Sequence, residues 1–195
     1  MLKPCRRSFL AGISLVEMLL TLSVSAVVLA MGAPLISGWL RDIEIRSSAS
    51  SLYAALQMAR AEAVSRNAIV RLQLTNANGL PAWSIQCVHV SAQCPANIRQ
   101  QTASQSSSAR WGSAIATAMP LIGSTIVAGH GLPAGVSFNA IGAAPAITSG
   151  DDIARIDITN AVSASARRLV VLIASQGMIK LCDPLAANDH PEHCS

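Results

Sequence analysis

Aromatic and charged residues are scarce in this sequence, and both shortages limit what the protein does. Aromatic residues make up 3% of the chain and charged residues 12%. Single-stranded nucleic acid is bound largely by stacking its bases on aromatic rings, so the chain offers few platforms for it. The sequence also lacks Gly-x-Ser-x-Gly, a phosphate-binding glycine loop and His-Glu-x-x-His. No enzyme class is therefore indicated, and we predict no catalytic residues, no cofactor and no metal ion.

The basic character of the chain is concentrated at its N-terminus. The isoelectric point is about 9.1. Three of the 14 Lys and Arg residues precede Gly12, which leaves 11 of them against 10 Asp and Glu in the rest of the chain, a net charge of +1. The nucleic-acid binding that a high isoelectric point suggests is thereby largely removed. Positive residues before an apolar segment stay in the cytoplasm, so the domain that follows is predicted to face outward.

One long segment is almost free of charge. Residues 9–40 contain a single charged side chain, Glu17. An ordinary secretory signal has an apolar core of about 7–15 residues, and this run is too long for that. A plain membrane anchor explains the length, because about 20 apolar residues span a bilayer. It does not explain the carboxylate, which costs about 2.5 kcal/mol or more inside a membrane.

The surroundings of Glu17 suggest what compensates its charge. A short basic leader, Gly12, an apolar run and a glutamate five residues after the glycine together resemble the class III signal of type IV pilins and pseudopilins. The resemblance implies that a prepilin peptidase cleaves between Gly12 and Ile13 and methylates the new N-terminus at Ile13. It also implies that Glu17 pairs with the N-terminal amine of a neighbouring subunit. Pro34 matches the helix-kinking proline of these proteins, whereas their usual N-terminal Phe is replaced here by Ile13.

A second helical segment is predicted directly after the apolar run. In residues 41–67, apolar side chains recur at three- and four-residue steps, the period of one helix face; they are Ala49, Leu52, Tyr53, Leu56, Ala59 and Ala63. Good helix formers dominate this segment. We therefore predict one long helix, in which residues 13–40 are the transmembrane or filament-core part. Residues 41–67 are its amphipathic continuation, which packs against a domain.

Beyond residue 67 the pattern changes to that of strands. Alternating or β-rich runs predict strands at residues 68–74, 83–90, 123–127, 135–139, 153–159, 168–174 and 178–182. Residues 97–113, rich in Gln, Ser and Ala, are predicted to be a long polar loop. The predicted fold class is α+β, with the long N-terminal helix packed on a mostly antiparallel sheet domain of residues 68–195. Residues 1–12 form the leader.

Five cysteines are present, and Cys5 lies in the leader. The other four are Cys87, Cys94, Cys182 and Cys194. In an exported domain, disulfides are the default for such residues, and four cysteines allow three pairings. We favour the two local bridges, Cys87–Cys94 and Cys182–Cys194.

Two polar groups invite other interpretations. A metal site near the C-terminus would use Asp183, Asp189, His190 and His193 together with Cys182 and Cys194. Zinc sites of this kind usually contain closely spaced cysteine pairs, and no Cys-x-x-Cys occurs here. A tail closed by a disulfide is therefore favoured. The paired carboxylates Asp151 and Asp152 follow Gly150 and are predicted to lie in a solvated turn.

Later segments narrow the resemblance to one family. Residues 56–66 (LQMARAEAVSR), 136–142 and 167–177 resemble the helix end and later strands of the GspH/FimT pseudopilins and minor pilins. The family implies a structural subunit of a type IV pilus or a type II secretion pseudopilus. It implies a single-pass protein of the cell inner membrane with its C-terminal domain in the periplasm. Its partners would be other pilins, the prepilin peptidase and inner-membrane lipid.

An alternative function is DNA uptake. Some competence-linked members of this family bind DNA through a C-terminal Gly-Arg-x-Arg segment. The corresponding residues 177–180 read Gly-Met-Ile-Lys, so Met178 replaces the first arginine and Lys180 the second. Arg167 and Arg168 would add positive charge that neutralises phosphates. The competing interpretation is that these are solvated charges at a strand edge.

Overall fold

The fold is a long helix followed by two antiparallel sheets. The computed structural model describes residues 13–163 and 166–194, with the backbone alone for residues 31–37, so the predicted leader lies outside the described residues. Helix α1 spans Leu15–Arg66. The strands are β1 (Val70–Leu74), β2 (Trp83–Cys87), β3 (Arg99–Gln101), β4 (Ala109–Ile115), β5 (Ala134–Phe138), β6 (Ile153–Asn160), β7 (Leu169–Ile173) and β8 (Ile179–Cys182). A 3₁₀ turn (Ala116–Ala118) follows β4, and a short helix α2 (Ala146–Ser149) precedes β6. The predicted α+β class is confirmed.

The chain divides into two compact units, Met1–Trp39 and Leu40–Ser195. In the first unit, the described residues from Leu15 onward are helical. Among the residues that the structure describes, no helix meets the length and apolarity required to cross a membrane.

In the second unit, α1 presents one buried face to the sheets. The side chains of this face are fully buried: Ile45, Ala49, Leu52, Leu56, Ala59 and Ala63. Their steps of four and three residues keep them on one side of the helix. Five of them were predicted; Ile45 was not, and Tyr53, predicted for this face, is half-buried. The helix ends at Arg66 because Asn67 adopts a left-handed conformation with φ of 50°. The Ala68 N–H donates to Ala63 O at 3.1 Å and the Asn67 N–H to Val64 O at 3.3 Å, which is the Schellman termination.

The strands form two four-stranded sheets. Sheet A has the order β3-β2-β1-β5 and sheet B the order β4-β6-β7-β8. All the paired strands of both sheets are antiparallel, as predicted. Both sheets contribute to one apolar core with α1; its members from the strands include Leu72, Ile85, Trp111, Phe138, Ile156 and Ile158.

Two of the secondary-structure predictions are wrong. Residues 97–113 are not one polar loop, because they contain β3 and most of β4. Strand β4 reads ARWGSAI and lacks branched residues at its centre. The reason is a close approach of backbone, since a Cβ at Gly112 would overlap the carbonyl oxygen of Val127. Residues 123–127, in turn, are not a strand.

Candidate functional site

The described part of the first unit is an uncovered apolar helix surface. Between Ile13 and Leu29, the large apolar side chains are 55% to 76% exposed. A helix that is apolar all round is stable in water only if another surface covers it. This segment is therefore a candidate assembly surface.

The hydroxyl groups of this segment are satisfied within the helix. Thr21 Oγ1 donates to Met18 O at 3.0 Å, and Ser23 Oγ donates to Leu20 O at 2.8 Å. Ser25 Oγ donates to Thr21 O at 2.7 Å. Such bonds to the preceding turn remove the need for water around these side chains. A surface that covers this helix segment therefore needs no polar groups to bind these hydroxyls.

Glu17 differs from these hydroxyls because its carboxylate is exposed and has no hydrogen-bond or ion-pair partner among the described residues. It lies in the first turn of α1, where the helix dipole favours a negative charge. Its spacing from Ser14 is that of a capping box, a feature the sequence reasoning missed. Neither side chain makes the capping hydrogen bonds within the described chain. The carboxylate is therefore not engaged in helix capping within the described chain and is available to a partner.

The structure describes the other predicted processing and assembly residues only in part. Ile13 is the first described residue, and Gly12 lies outside the described range. The backbone is helical through position 34, and the Pro34 side chain is not described. Their roles in cleavage and assembly stay predictions.

Both predicted disulfides are present in the second unit. Cys87 pairs with Cys94 at a Cα–Cα distance of 5.7 Å, and Cys182 pairs with Cys194 at 5.1 Å. Bridged sulfurs are not available as metal ligands. Within residues 13–163 and 166–194, no group of three or more His, Cys, Asp or Glu side chains is placed to hold a metal ion.

Removing the second disulfide should loosen the C-terminal tail. The bridge closes a loop with a sequence separation of 12 residues, and loops of this size contribute up to about 3 kcal/mol in the chain-entropy model. We expect the double variant Cys182→Ser with Cys194→Ser to show a melting temperature several degrees lower and a tail that proteases cut. Limited proteolysis with mass mapping of the tail is the measurement. Unchanged stability, or free thiols at all four positions in the exported protein, would contradict the expectation.

A buried charged cluster lies on sheet B. Arg155 and Asp157 of β6 are both fully buried, and Arg168 is 7% exposed. The Asp157 carboxylate receives Arg155 Nε at 2.7 Å and Arg168 Nη1 at 2.9 Å. Its Oδ2 also accepts the Ile126 N–H at 3.0 Å. One carboxylate thus binds two guanidinium groups and the middle of the β4–β5 connection, residues 116–133.

The same guanidinium groups bind the carbonyls of that connection. Arg155 donates to Pro120 O at 2.9 Å and Leu121 O at 3.0 Å. Arg168 donates to Ile122 O at 2.8 Å, and both arginines donate to Ser124 O at 2.6 Å. Within residues 123–127, the carbonyls of Gly123 and Ser124 and the N–H of Ile126 bond side chains of this cluster instead of a neighbouring strand, in agreement with the absence of a strand there.

These contacts also correct the prediction for Arg168. A buried guanidinium with protein acceptors reaches no phosphate without leaving its site, so Arg168 is not a DNA contact. Arg167 is 33% exposed, and its guanidinium pairs with Asp183 at 2.7 Å and Glu192 at 3.0 Å. Lys180 is half-buried in β8. DNA contacts at Arg167 and Lys180 stay predictions, and for Arg167 two adjacent carboxylates oppose phosphate binding.

The glycine of the same motif has a packing role. Gly177 has φ of +81°, a region that favours glycine. A Cβ at this position would overlap the carbonyl oxygen of Gly142. Close approach of two loops therefore accounts for Gly177 without a nucleic-acid ligand.

Asp152 contradicts the prediction of a solvated turn, because it is only 1% exposed. Its carboxylate accepts Arg71 Nη1 at 2.6 Å and the Ser137 N–H at 2.6 Å. Arg71 lies on β1 in sheet A, whereas Asp152 directly precedes β6 in sheet B. The ion pair therefore joins the two sheets. Its neighbour Asp151 is exposed, as predicted, and accepts Ser149 Oγ at 2.6 Å.

Glu44 of α1 is a further polar contact that sequence reasoning missed. Its Oε1 accepts Ser107 Oγ at 2.9 Å and the Ser108 N–H at 2.6 Å, and its Oε2 accepts Ser108 Oγ. Burial raises the pKa of Glu44, but hydrogen bonds from Ser108, Ser107 and Ala109 lower it more, so the pKa lies below its ordinary value of 4.5. Nothing local in the sequence distinguishes Glu44 from other helix glutamates.

Comparison with models of protein families identifies the family of this chain. The sequence model of a family described as type II transport protein GspH matches residues 48–177. The chain belongs to this family. The predicted relation to the GspH/FimT pseudopilins and minor pilins is therefore confirmed, and with it the prediction of a pilin-like structural subunit. No match was found among curated protein sequences.

Among solved structures, the GspH-family chain is similar to the type IV minor pilin FimU of Pseudomonas aeruginosa strain PAO1, in two crystal forms. For the first form, the sequence identity is 22%, the TM-score is 0.48, and the match covers 75% of this chain and 93% of FimU. For the second, the corresponding values are 21%, 0.47, 74% and 97%.

Proposed function

We propose that the chain is a minor pilin or pseudopilin that resides in the inner membrane as a single-pass protein and is incorporated into a type IV pilus or a type II secretion pseudopilus. The observation that carries the proposal is the exposed apolar segment of α1 together with Glu17, whose carboxylate has no partner among the described residues. Lipid would cover this segment before assembly, and neighbouring subunits would cover it in the filament. The apolar run begins at residue 9, before the first described residue.

The orientation follows from the charge of the leader. Lys3, Arg6 and Arg7 precede the run and favour a cytoplasmic N-terminus. The second unit would then lie in the periplasm. Its two disulfides fit that compartment, because disulfides form and persist where conditions are oxidising.

Within this proposal, Glu17 has an electrostatic role. Cleavage after Gly12 creates an amine at Ile13, and methylation leaves that amine basic. In an apolar filament core, an amine and a carboxylate attract far more strongly than in water. Glu17 of one subunit would therefore pair with the N-terminus of its neighbour and set the register between two helices. Pro34 would adjust the path of α1 in the same part of the molecule.

The test of the proposal is the position of cleavage. When the chain is produced with a prepilin peptidase, we expect the mature protein to begin at Ile13 and to carry one N-methyl group. Intact-mass and N-terminal peptide analysis of the membrane form measure both. The same chain from a peptidase-deficient host should keep the leader. A mature N-terminus at any other residue would refute the pilin-type signal.

A further inference from the structure

The connection between β3 and β4 is tied to helix α1 through one side chain. We name residues 102–108 the serine strap; they read TASQSSS and contain no titratable group. All hydrogen bonds between α1 and the strap that the described residues show involve Glu44, with Ser107 Oγ at 2.9 Å, the Ser108 N–H at 2.6 Å and Ser108 Oγ as donors. Just before the strap, Gln101 Oε1 accepts Ser51 Oγ at 3.0 Å.

A polar cavity lies between the strap and the helix. Its volume is about 250 Å³, and its walls include Glu44, Ser48, Ser51, Gln101 and Ser104. Most of the lining residues carry a hydroxyl, amide or carboxylate group, with Pro81 as the exception, so water that enters the cavity finds hydrogen-bond partners there. Glu44 is the one titratable group among the lining residues.

We propose that the serine strap is a lid held closed by the negative charge of Glu44. Neutralising this carboxylate releases residues 102–107 and opens the hydroxyl-lined face of α1 at residues 47–51 to solvent or to a partner. The proposal stands independently of the proposed function, because it concerns contacts inside the second unit alone.

Apart from Glu44, the described hydrogen bonds between the moving residues 102–107 and the rest of the chain are those that Ser107 accepts, from Arg110 Nη1 at 2.7 Å and from the Ala109 N–H at 3.2 Å. The side chains of the strap are all exposed or half-buried. Its described internal bonds are the Ser107 N–H to Ser104 O at 3.2 Å and a Ser104–Ser106 hydroxyl contact at 2.8 Å. Segments with few buried apolar contacts open locally at low free-energy cost. Hydrogen bonds to an ionised acceptor are roughly twice as strong as neutral ones. Of the three that Glu44 accepts, the one from Ser107 Oγ holds the part that moves, and the two from Ser108 hold the C-terminal end of the strap.

The C-terminal end of the strap stays attached to β6 when its hydrogen bonds to Glu44 are lost. Asn160 Nδ2 donates to Ser108 Oγ at 2.9 Å, and the Ala161 N–H donates to Ser108 O at 2.8 Å. Both donors lie at the end of β6 or just after it. Ser108 is therefore the hinge, and the moving part precedes it.

Burial and the hydrogen bonds from Ser108, Ser107 and Ala109 set the pKa of Glu44, and two arginines are the charged groups beside it on α1 and β4. Arg41 lies one turn earlier on α1, and Arg110 of β4 donates through Nη1 to Ser107 O at 2.7 Å and Ala109 O at 2.8 Å. The pKa of Glu44 is lowered in the fold, so closure is complete above the ordinary value of 4.5 and is lost as pH falls through the lower folded value.

Hydrogen–deuterium exchange of the full-length chain in detergent micelles tests the lid, with Glu44→Gln as the variant. A Gln carboxamide keeps the shape but turns one acceptor into a donor facing Ser107 and Ser108. At pH 7 we expect peptides covering residues 103–109 to exchange about tenfold faster, which corresponds to about 1.4 kcal/mol of opening, while peptides of β6 and β7 stay protected. Glu62→Gln is the matched control, because Glu62 pairs with Arg66 on the same helix and does not touch the strap.

The pH dependence supplies the second measurement. In the wild-type chain, protection of the strap, corrected for intrinsic exchange, should fall below pH 4.5 before that of β6, whereas Glu44→Gln should show no further fall specific to the strap. Wild-type protection in Glu44→Gln, or a strap that follows pH equally in both chains, overturns the proposal. If Glu44→Gln exchanges throughout, Ser108→Ala decides: opening confined to the strap supports the lid, and exchange that rises in strap and sheets together overturns it.

Discussion

Replacing Asp157 with alanine should lower the free energy of unfolding by about 3–5 kcal/mol or prevent folding altogether. The substitution leaves the guanidinium groups of Arg155 and Arg168 buried side by side without a counter-charge. It also leaves the Ile126 N–H without its acceptor. Denaturant unfolding of the full-length chain in detergent, followed by tryptophan fluorescence, measures the loss.

Two further variants serve as controls for the loss of stability in Asp157→Ala. Asp151→Ala removes a nearby exposed carboxylate whose described partner is the Ser149 hydroxyl, so it should change the stability by no more than about 0.5 kcal/mol. Asp157→Asn keeps the shape and removes the charge, and its cost should approach that of the alanine variant. If Asp157→Ala is as stable as Asp151→Ala, the two arginines find compensation elsewhere, and the charged cluster does not hold the β4–β5 connection.

Replacing Glu17 with alanine should leave processing and export intact but reduce incorporation into filaments about tenfold or more. Tenfold corresponds to about 1.4 kcal/mol per subunit, a modest value for an ion pair of low solvent exposure. The physical reason is that the proposed partner, the amine at Ile13 of a neighbour, would enter the filament core without a counter-charge. The ratio of sheared filament to membrane-bound protein, measured by quantitative immunoblot, is the readout.

The control must separate charge from helix stability. Glu17→Asp keeps the negative charge in the first turn of α1, and its incorporation should exceed that of the alanine variant. Thr21→Ala changes the same apolar segment, but its hydroxyl is bonded within the helix, so normal incorporation is expected. Normal incorporation of Glu17→Ala would remove the proposed pairing and leave the negative charge in the first turn of α1 as a dipole effect alone.

The parts of the fold that could be predicted from the sequence are those determined by neighbouring residues, and the parts that could not are determined by contacts between residues far apart in the chain. The buried face of α1 was predictable because its six side chains repeat with the helix period itself. Strands rich in branched residues, such as β6 and β7, were predictable for a similar local reason. Strand β4 was not, because its small residues reflect the backbone packed against them. Residues 123–127 mimic a strand, but distant arginines bind the carbonyls there.

The polar contacts show the same division. The two disulfides join cysteines separated by 7 and 12 residues, so spacing alone favoured them. The partners of Asp152 and Glu44 lie 81 and 64 residues away. A turn-like Gly-Asp-Asp and a helix glutamate have no local signal that separates a buried ion pair from a solvated charge. The sequence analysis therefore predicted that Asp152, which joins the two sheets, is exposed to solvent. It made no prediction for Glu44, which binds the serine strap.

The placement of the two disulfides bears on how the exported chain becomes oxidised. Each bridge links consecutive cysteines, one at the end of β2 in sheet A and the other at the end of β8 in sheet B. Among the four cysteines of the second unit, the shortest wrong pairing, Cys94 with Cys182, spans 182 − 94 = 88 residues. Because closure probability falls with about the three-halves power of loop length, the native pairs form about twenty- to forty-five-fold more readily in the unfolded chain. An oxidant that joins cysteines in the order of their emergence thus yields the native bridges, and the domain matures without disulfide isomerisation.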